Sequence, residues 1–130
     1  MATWLKMIGT TEMPCLEAYA RDHVDFTREP RDLHVGDQLV LYAVGSGTLV
    51  FAIARVTSEP RAGEEERFPS SVKIEYSVNL PVRSGVSVRE ISDREELVGA
   101  IKWGSSYLRL QQDEFDRAEA LLSARQAAGV

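Results

Sequence analysis

The chain has 130 residues, 44% hydrophobic and 27% charged, which sets aside intrinsic disorder and leaves room for one folded domain. Fifteen Lys and Arg against 20 Asp and Glu give a formal charge of -5, which argues against strong, sequence-independent binding to nucleic acid. No run approaches the ~20 apolar residues of a membrane span, and the start lacks the basic-then-apolar pattern of a secretory signal. The single cysteine, Cys15, allows no internal disulfide, so a cytoplasmic protein is the expectation.

Residues 3–8 (Thr-Trp-Leu-Lys-Met-Ile) have the β-branched and aromatic content of a first strand, closed by Gly9. Pro14 suits the first turn of a helix, and Leu16, Ala18, Tyr19 and Ala20 predict a short, weakly amphipathic helix reaching His23. Residues 25–34 are charged, contain Pro30 and keep no period, which predicts a loop anchored by Phe26. Gly36-Asp37 then turns the chain into a strand over 38–44. Gly45-Ser46-Gly47 signals a hairpin, with the return strand over 48–57. Both strands of the hairpin are apolar on both faces, as suits strands covered on two sides or curled into a barrel. Phe51 and Ile53 are assigned to the core.

Residues 58–69 read as a polar connection, with Glu64-Glu65-Glu66 at a solvated tip. Val72, Ile74, Tyr76, Val78 and Leu80 then alternate with Lys73, Glu75, Ser77 and Asn79, a period of two that predicts a strand with one wet face. Val86, Val88 and Ile91 suggest a short edge strand. Ser92-Asp93-Arg94-Glu95 has capping-box spacing and opens a helix with Leu97, Val98 and Ile101 on one side. Residues 107–110 read as a last short strand. Asp113 opens a helix that turns Phe115, Ala118, Leu121 and Leu122 to one face, and the tail from Gln126 is expected to fray. The order predicts a single α+β domain over 1–130, a small, curled, mostly antiparallel β-barrel flanked by short helices.

Chemistry-bearing patterns are sparse. His23, His34 and Cys15 make no metal-ligand set, and the glycines form neither a dinucleotide nor a phosphate-loop fingerprint. Cys15 reads as a buried, inert thiol, and the pairs Asp22 with Asp25 and Glu95 with Glu96 as solvated carboxylates. No catalytic residue, metal or cofactor is assigned, and the expectation is a protein that binds and does not catalyse.

Residues 35–60, with Gly36-Asp37, Tyr42 and Ala52-Ile53-Ala54-Arg55-Val56, resemble the core of the EVE domain, as do Thr3-Trp4-Leu5 and the stretch from Gly104 to Phe115. That family belongs to the PUA-like superfamily and is related to the YTH readers of methylated RNA. Ala43 and Ala52 stand where the family usually carries His and Gly, and residues 9–14 lack its Ser-Glu-Pro pattern. The resemblance implies a PUA-like barrel whose pocket takes a modified base, such as methylated or hydroxymethylated cytosine, in nucleic acid, DNA more than RNA.

Such a pocket needs aromatic faces for the base, polar groups for its edge, and cations for the flanking phosphates. On the strength of the resemblance, Trp4, Tyr42, Trp103 and Tyr107 supply the faces, and Thr10, Ser105 and Ser106 the hydroxyls. Lys6, Lys102 and Arg109 supply the phosphate contacts around one concave opening. Trp4, Tyr42 and Trp103 are expected to converge, although Trp4 and Tyr42 also suit the core. The alternative is a small-molecule or free-nucleotide binder using the same pocket, which the charge of -5 suits better.

Overall fold

The first strand, β1 (Thr3–Ile8), is buried along its whole length because its side chains alternate into two separate cores. The structure is a computed structural model describing residues 1–130 except 11, 13, 18, 47, 48, 67, 103–105 and 130, and only the backbone at 64, 65, 100 and 102. Among the described residues the remaining elements are β2 (His23–Phe26), β3 (Gln38–Ala43), β4 (Leu49–Val56), β5 (Arg61–Glu65) and β6 (Phe68–Asn79). They are followed by β7 (Val86–Ser87), α1 (Glu95–Lys102), β8 (Tyr107–Arg109) and α2 (Gln112–Ala127).

The strands form one sheet in the order β2-β6-β4-β3-β1-β8, with β5 added to β6 and β7 to β4. Among the described residues only β1 and β3 run parallel, and the other pairs are antiparallel. The sheet curls into a half-barrel carrying two short helices, the predicted α+β architecture, with the β3–β4 hairpin at its centre.

Leu5, Met7, Val40, Tyr42 and Ile53 belong to the first core, which α1 and α2 cover through Leu97, Phe115, Ala118 and Leu122. Trp4, Ile8, Leu39, Leu41 and Phe51 belong to the second, where β2 contributes Val24 and Phe26. The alternation predicted for β6 holds in burial, with Lys73, Glu75, Ser77 and Asn79 exposed. Its register against β4 slips at Ser77, since Ile53 pairs with Val78 and Ala54 with Tyr76. Such an extra residue re-aims a strand. Val72 and Ile74 accordingly enter the second core, and Val78 and Leu80 the first.

Four local expectations are corrected. The described residues of 14–22 form no helix but an extended strap. Its carbonyls at Tyr19 and Arg21 accept from the Tyr76 hydroxyl at 3.3 and 2.7 Å, and Tyr19 also accepts from Asn79 at 2.8 Å. Donors from β6 thus take over carbonyls that a helix would have used internally, and the weak amphipathic stripe offered little to outweigh them. Part of the predicted loop over 25–34 is strand β2, paired antiparallel with β6. The polar connection over 58–69 contains β5, and Glu66 is exposed at its turn. The suggested edge strand is two residues long and gives way to a 3-10 turn at Val88–Glu90, capped by Ser87 and Glu90. At the C-terminal end, α2 continues through Ala127, one residue beyond the start of the expected fraying.

Candidate ligand-binding site at the seam of the sheet

β2 and β8 lie at opposite ends of the sheet path, yet curling brings their side chains together. The Phe26 and Tyr107 rings meet edge to face at 5.2 Å and 89°. Behind them the Trp4 ring lies 5.3 Å from Tyr107, tilted by 58°. The Tyr107 hydroxyl donates to Asp32 Oδ1 at 2.6 Å, tying β8 to the segment after β2. Burial, helped by the Asp32 charge, pushes the Tyr107 phenol up to about 12, so it is a neutral donor at ordinary pH.

A cavity of about 320 Å³ opens at this seam, lined by Phe26, Thr27, Arg28, Glu29, Ser106 and Tyr107. That volume sits at the small end of ligand pockets, which run from ~300 to 1,000 Å³. Beyond Glu29 a second hollow of about 290 Å³ lies against Arg61 and Ser70.

Lys6 is buried beneath the cavity wall. Strand alternation sends it to the same side of β1 as Trp4 and Ile8, so an amine enters an apolar core. Its Nζ donates to Met7 O and to Ser106 Oγ, both at 3.1 Å, and lies 4.5 Å from the centroid of Phe26. Burial lowers its pKa from 10.5 to about 7, against a smaller opposing effect of the Asp25 charge.

Trp4 is fixed from the other side. Gly36 takes φ +94, a conformation open to glycine, and the turn it makes presents Asp37 to three donors. Asp37 accepts from Ala2 N, Trp4 Nε1 and His34 N, each at 3.0 Å. Burial alone would raise the Asp37 carboxyl, but these bonds outweigh it and hold it below its usual value. The exposed Arg109 guanidinium lies 5.3 Å from the Trp4 ring centroid, a cation–π contact of ~0.5–1 kcal/mol at such a site.

Of the ligand residues expected from sequence, Ser106 lines the cavity and Trp4 supports its Tyr107 wall. Tyr42 does not join them. Its strand register pairs it with Met7, on the face of β1 opposite Trp4, and it is buried in the core under the helices. Convergence of Trp4 with Tyr42 is therefore corrected, because adjacent residues of opposite parity face opposite ways. Thr10, half-buried past the end of β1, is not among the cavity-lining residues. Trp103, Ser105 and the Lys102 side chain lie outside the described residues. Lys6 is corrected as a phosphate contact, since its amine is buried, while Arg109 is exposed beside the seam. His23, expected at a surface or helix end, is half-buried on β2 between Asp22 and Asp25. Sequence reasoning missed Thr27, Arg28 and Glu29 and gave Phe26 only an anchoring role. The available signal was an isolated aromatic within a charged stretch.

No family model matches the sequence, and no curated protein does. Solved structures share its fold. The NMR structure of a Rhodopseudomonas palustris protein aligns with a TM-score of 0.59 and 14% identity, over 95% of this chain and 94% of that one. A crystal structure from Agrobacterium tumefaciens aligns with a TM-score of 0.55 and 14% identity, over 96% and 93%. One from Pseudomonas putida gives a TM-score of 0.59 and 18% identity, over 93% and 99%. At these identities what is shared is the fold, over nearly the whole of each chain.

Proposed function

We propose that the protein is a non-catalytic, EVE-like module that binds a modified base of nucleic acid, modified cytosine in DNA foremost, in the seam cavity. The observation that carries the reading is the seam cavity lined by Phe26, Tyr107 and Ser106, with the Lys6 amine buried behind Ser106. Tyr107 is the half-buried ring that offers a stacking face, with Phe26 buried against it, and stacking on an aromatic side chain is worth ~1–3 kcal/mol per base. Arg28 at the cavity and Arg109 beside it are the cations best placed for flanking phosphates. The sequence resemblance to the EVE domain, and the curled α+β barrel it implies, point the same way.

A second reading, a binder of free nucleotides or other small planar molecules, is favoured by Glu29 in the cavity wall and the charge of -5. Titration of single-stranded oligonucleotides bearing methylated or hydroxymethylated cytosine, against unmodified ones and free nucleosides, separates the two. A reader prefers the modified strand and loses affinity steeply with salt, whereas a free-base binder is nearly salt-independent. Binding that is unaffected by Tyr107→Ala would remove the seam as the site.

A further inference from the structure

Lys6 is 4% exposed, and among the described residues no carboxylate forms an ion pair with it. Its Nζ is in contact with two walls of the cavity, at 3.1 Å from Ser106 Oγ and 4.5 Å from the Phe26 ring centroid. An ammonium in such surroundings has the Asp25 charge nearby but no ion pair, which does not offset its lost hydration. The neutral amine fits better. Its two N–H groups can serve Met7 O and Ser106 Oγ, leaving a lone pair with no proton on it. The charged groups around it are Asp25 on β2, which favours the ammonium, Arg28 and Glu29 at the cavity, and Arg109 and the Tyr107–Asp32 pair on the β8 side.

We propose that Lys6 is a nucleophilic amine that captures an aromatic aldehyde in the seam cavity as an imine. This rests on the base-binding reading above and extends its ligand class to formyl-bearing pyrimidines. The Nζ lone pair attacks the carbonyl carbon, and the carbonyl π pair moves to oxygen. That oxygen takes a proton from the nitrogen, with the Ser106 hydroxyl at 3.1 Å placed to relay it. The carbinolamine then loses its oxygen as water while the C=N bond forms, so amine and aldehyde become imine and water with no change of oxidation state. Desolvated lysines in apolar pockets are the general setting for this chemistry. The lowered pKa of about 7 leaves a substantial neutral fraction near neutral pH. Ser106 Oγ stands between the amine and the cavity, so the proposal requires the aldehyde carbon to reach Nζ beside that hydroxyl.

The chain has three lysines, Lys6, Lys73 and Lys102, which makes the test selective. The protein is incubated with pyridoxal or with a formyl-bearing pyrimidine nucleoside, the imine is reduced with cyanoborohydride, and labelled peptides are mapped by mass spectrometry. Near pH 7, Lys6 is expected to label on the order of tenfold faster than the exposed Lys73, with a rate rising through about pH 7. The preference is expected to vanish in urea. Labelling of Lys6 no faster than Lys73, or a preference that persists in urea, overturns the proposal. Oligonucleotide titration is run in parallel. Binding of a methylated strand without Lys6 labelling overturns this inference alone, and labelling without strand binding overturns the strand-reading function alone.

Discussion

Phe26 and Tyr107 come from strands at the two ends of the sheet, and their rings meet at 5.2 Å, nearly perpendicular. At that point the half-barrel is bridged by side chains, where elsewhere its strands are joined by backbone hydrogen bonds. Phe26 is 1% exposed, so Phe26→Ala should cost ~3–5 kcal/mol in urea unfolding and also weaken ligand binding. Tyr107→Phe keeps the ring contact but loses the bond to Asp32, and should cost only ~0.5–1.5 kcal/mol. A Phe26→Ala loss under ~1 kcal/mol would mean that the seam does not hold the barrel together.

Lys6 makes stability rise with pH. Its pKa is 10.5 when unfolded and about 7 when folded, so between these values the unfolded chain binds more protons. The destabilisation is therefore fully present below pH 7 and fades as pH climbs toward 10.5. Lys6→Met should be more stable than the parent near pH 6, by a few kcal/mol, and the difference should shrink between pH 7 and about 10. Measurement stops there because burial also raises the Tyr76 phenol to about 12, an effect of opposite sign at higher pH. A pH-independent difference would show that Lys6 is not a buried amine.

Glu114 is 2% exposed and meets Arg94 in a bidentate pair, Nη2 to Oε1 at 2.8 Å and Nε to Oε2 at 3.2 Å. It also accepts from Gln111 N at 2.7 Å, which caps α2. Arg94→Met leaves this carboxylate buried and unpaired and should cost ~3–5 kcal/mol. Burial pushes the Glu114 carboxyl up, but the bonds from Arg94, Ser92 and Gln111 outweigh it and hold it below 4.5. A depressed carboxyl stabilises above its unfolded value and loses that contribution as pH falls through the folded one. The gap between parent and Arg94→Met should thus close below pH 4.5, read by urea midpoints across an acid series.

Asp37 holds Trp4 through its indole N–H and closes the turn through two backbone amides. Asp37→Asn replaces one acceptor oxygen with a donor facing other donors, and should cost ~1–3 kcal/mol. Because Trp4 supports Tyr107, the same variant should lower ligand affinity at a denaturant-free pH where it remains folded. Unchanged affinity with lost stability would separate Trp4 from the site.

Local pattern alone located β1, the β3–β4 hairpin, β6 and α2, because alternation over six or more residues, paired glycines and a helical apolar face are signals written within one segment. The resemblance, not local pattern, singled out Tyr107 and Ser106, which lie at the seam cavity, and Phe26 was read as an anchor. What the sequence could not carry was which residues face each other. Part of β2 was read as loop because the alternation of His23-Val24-Asp25-Phe26 is only four residues long and runs on into a charged stretch, and it becomes a strand by pairing with β6. Tyr42 and Trp4 looked like partners, but parallel register between β1 and β3 put them on opposite faces of one sheet. Lys6 looked like a surface cation until both faces of its strand were covered. The seam itself joins residues 6, 26 and 107, and their approach depends on the curl of the whole sheet, a property that no single segment possesses.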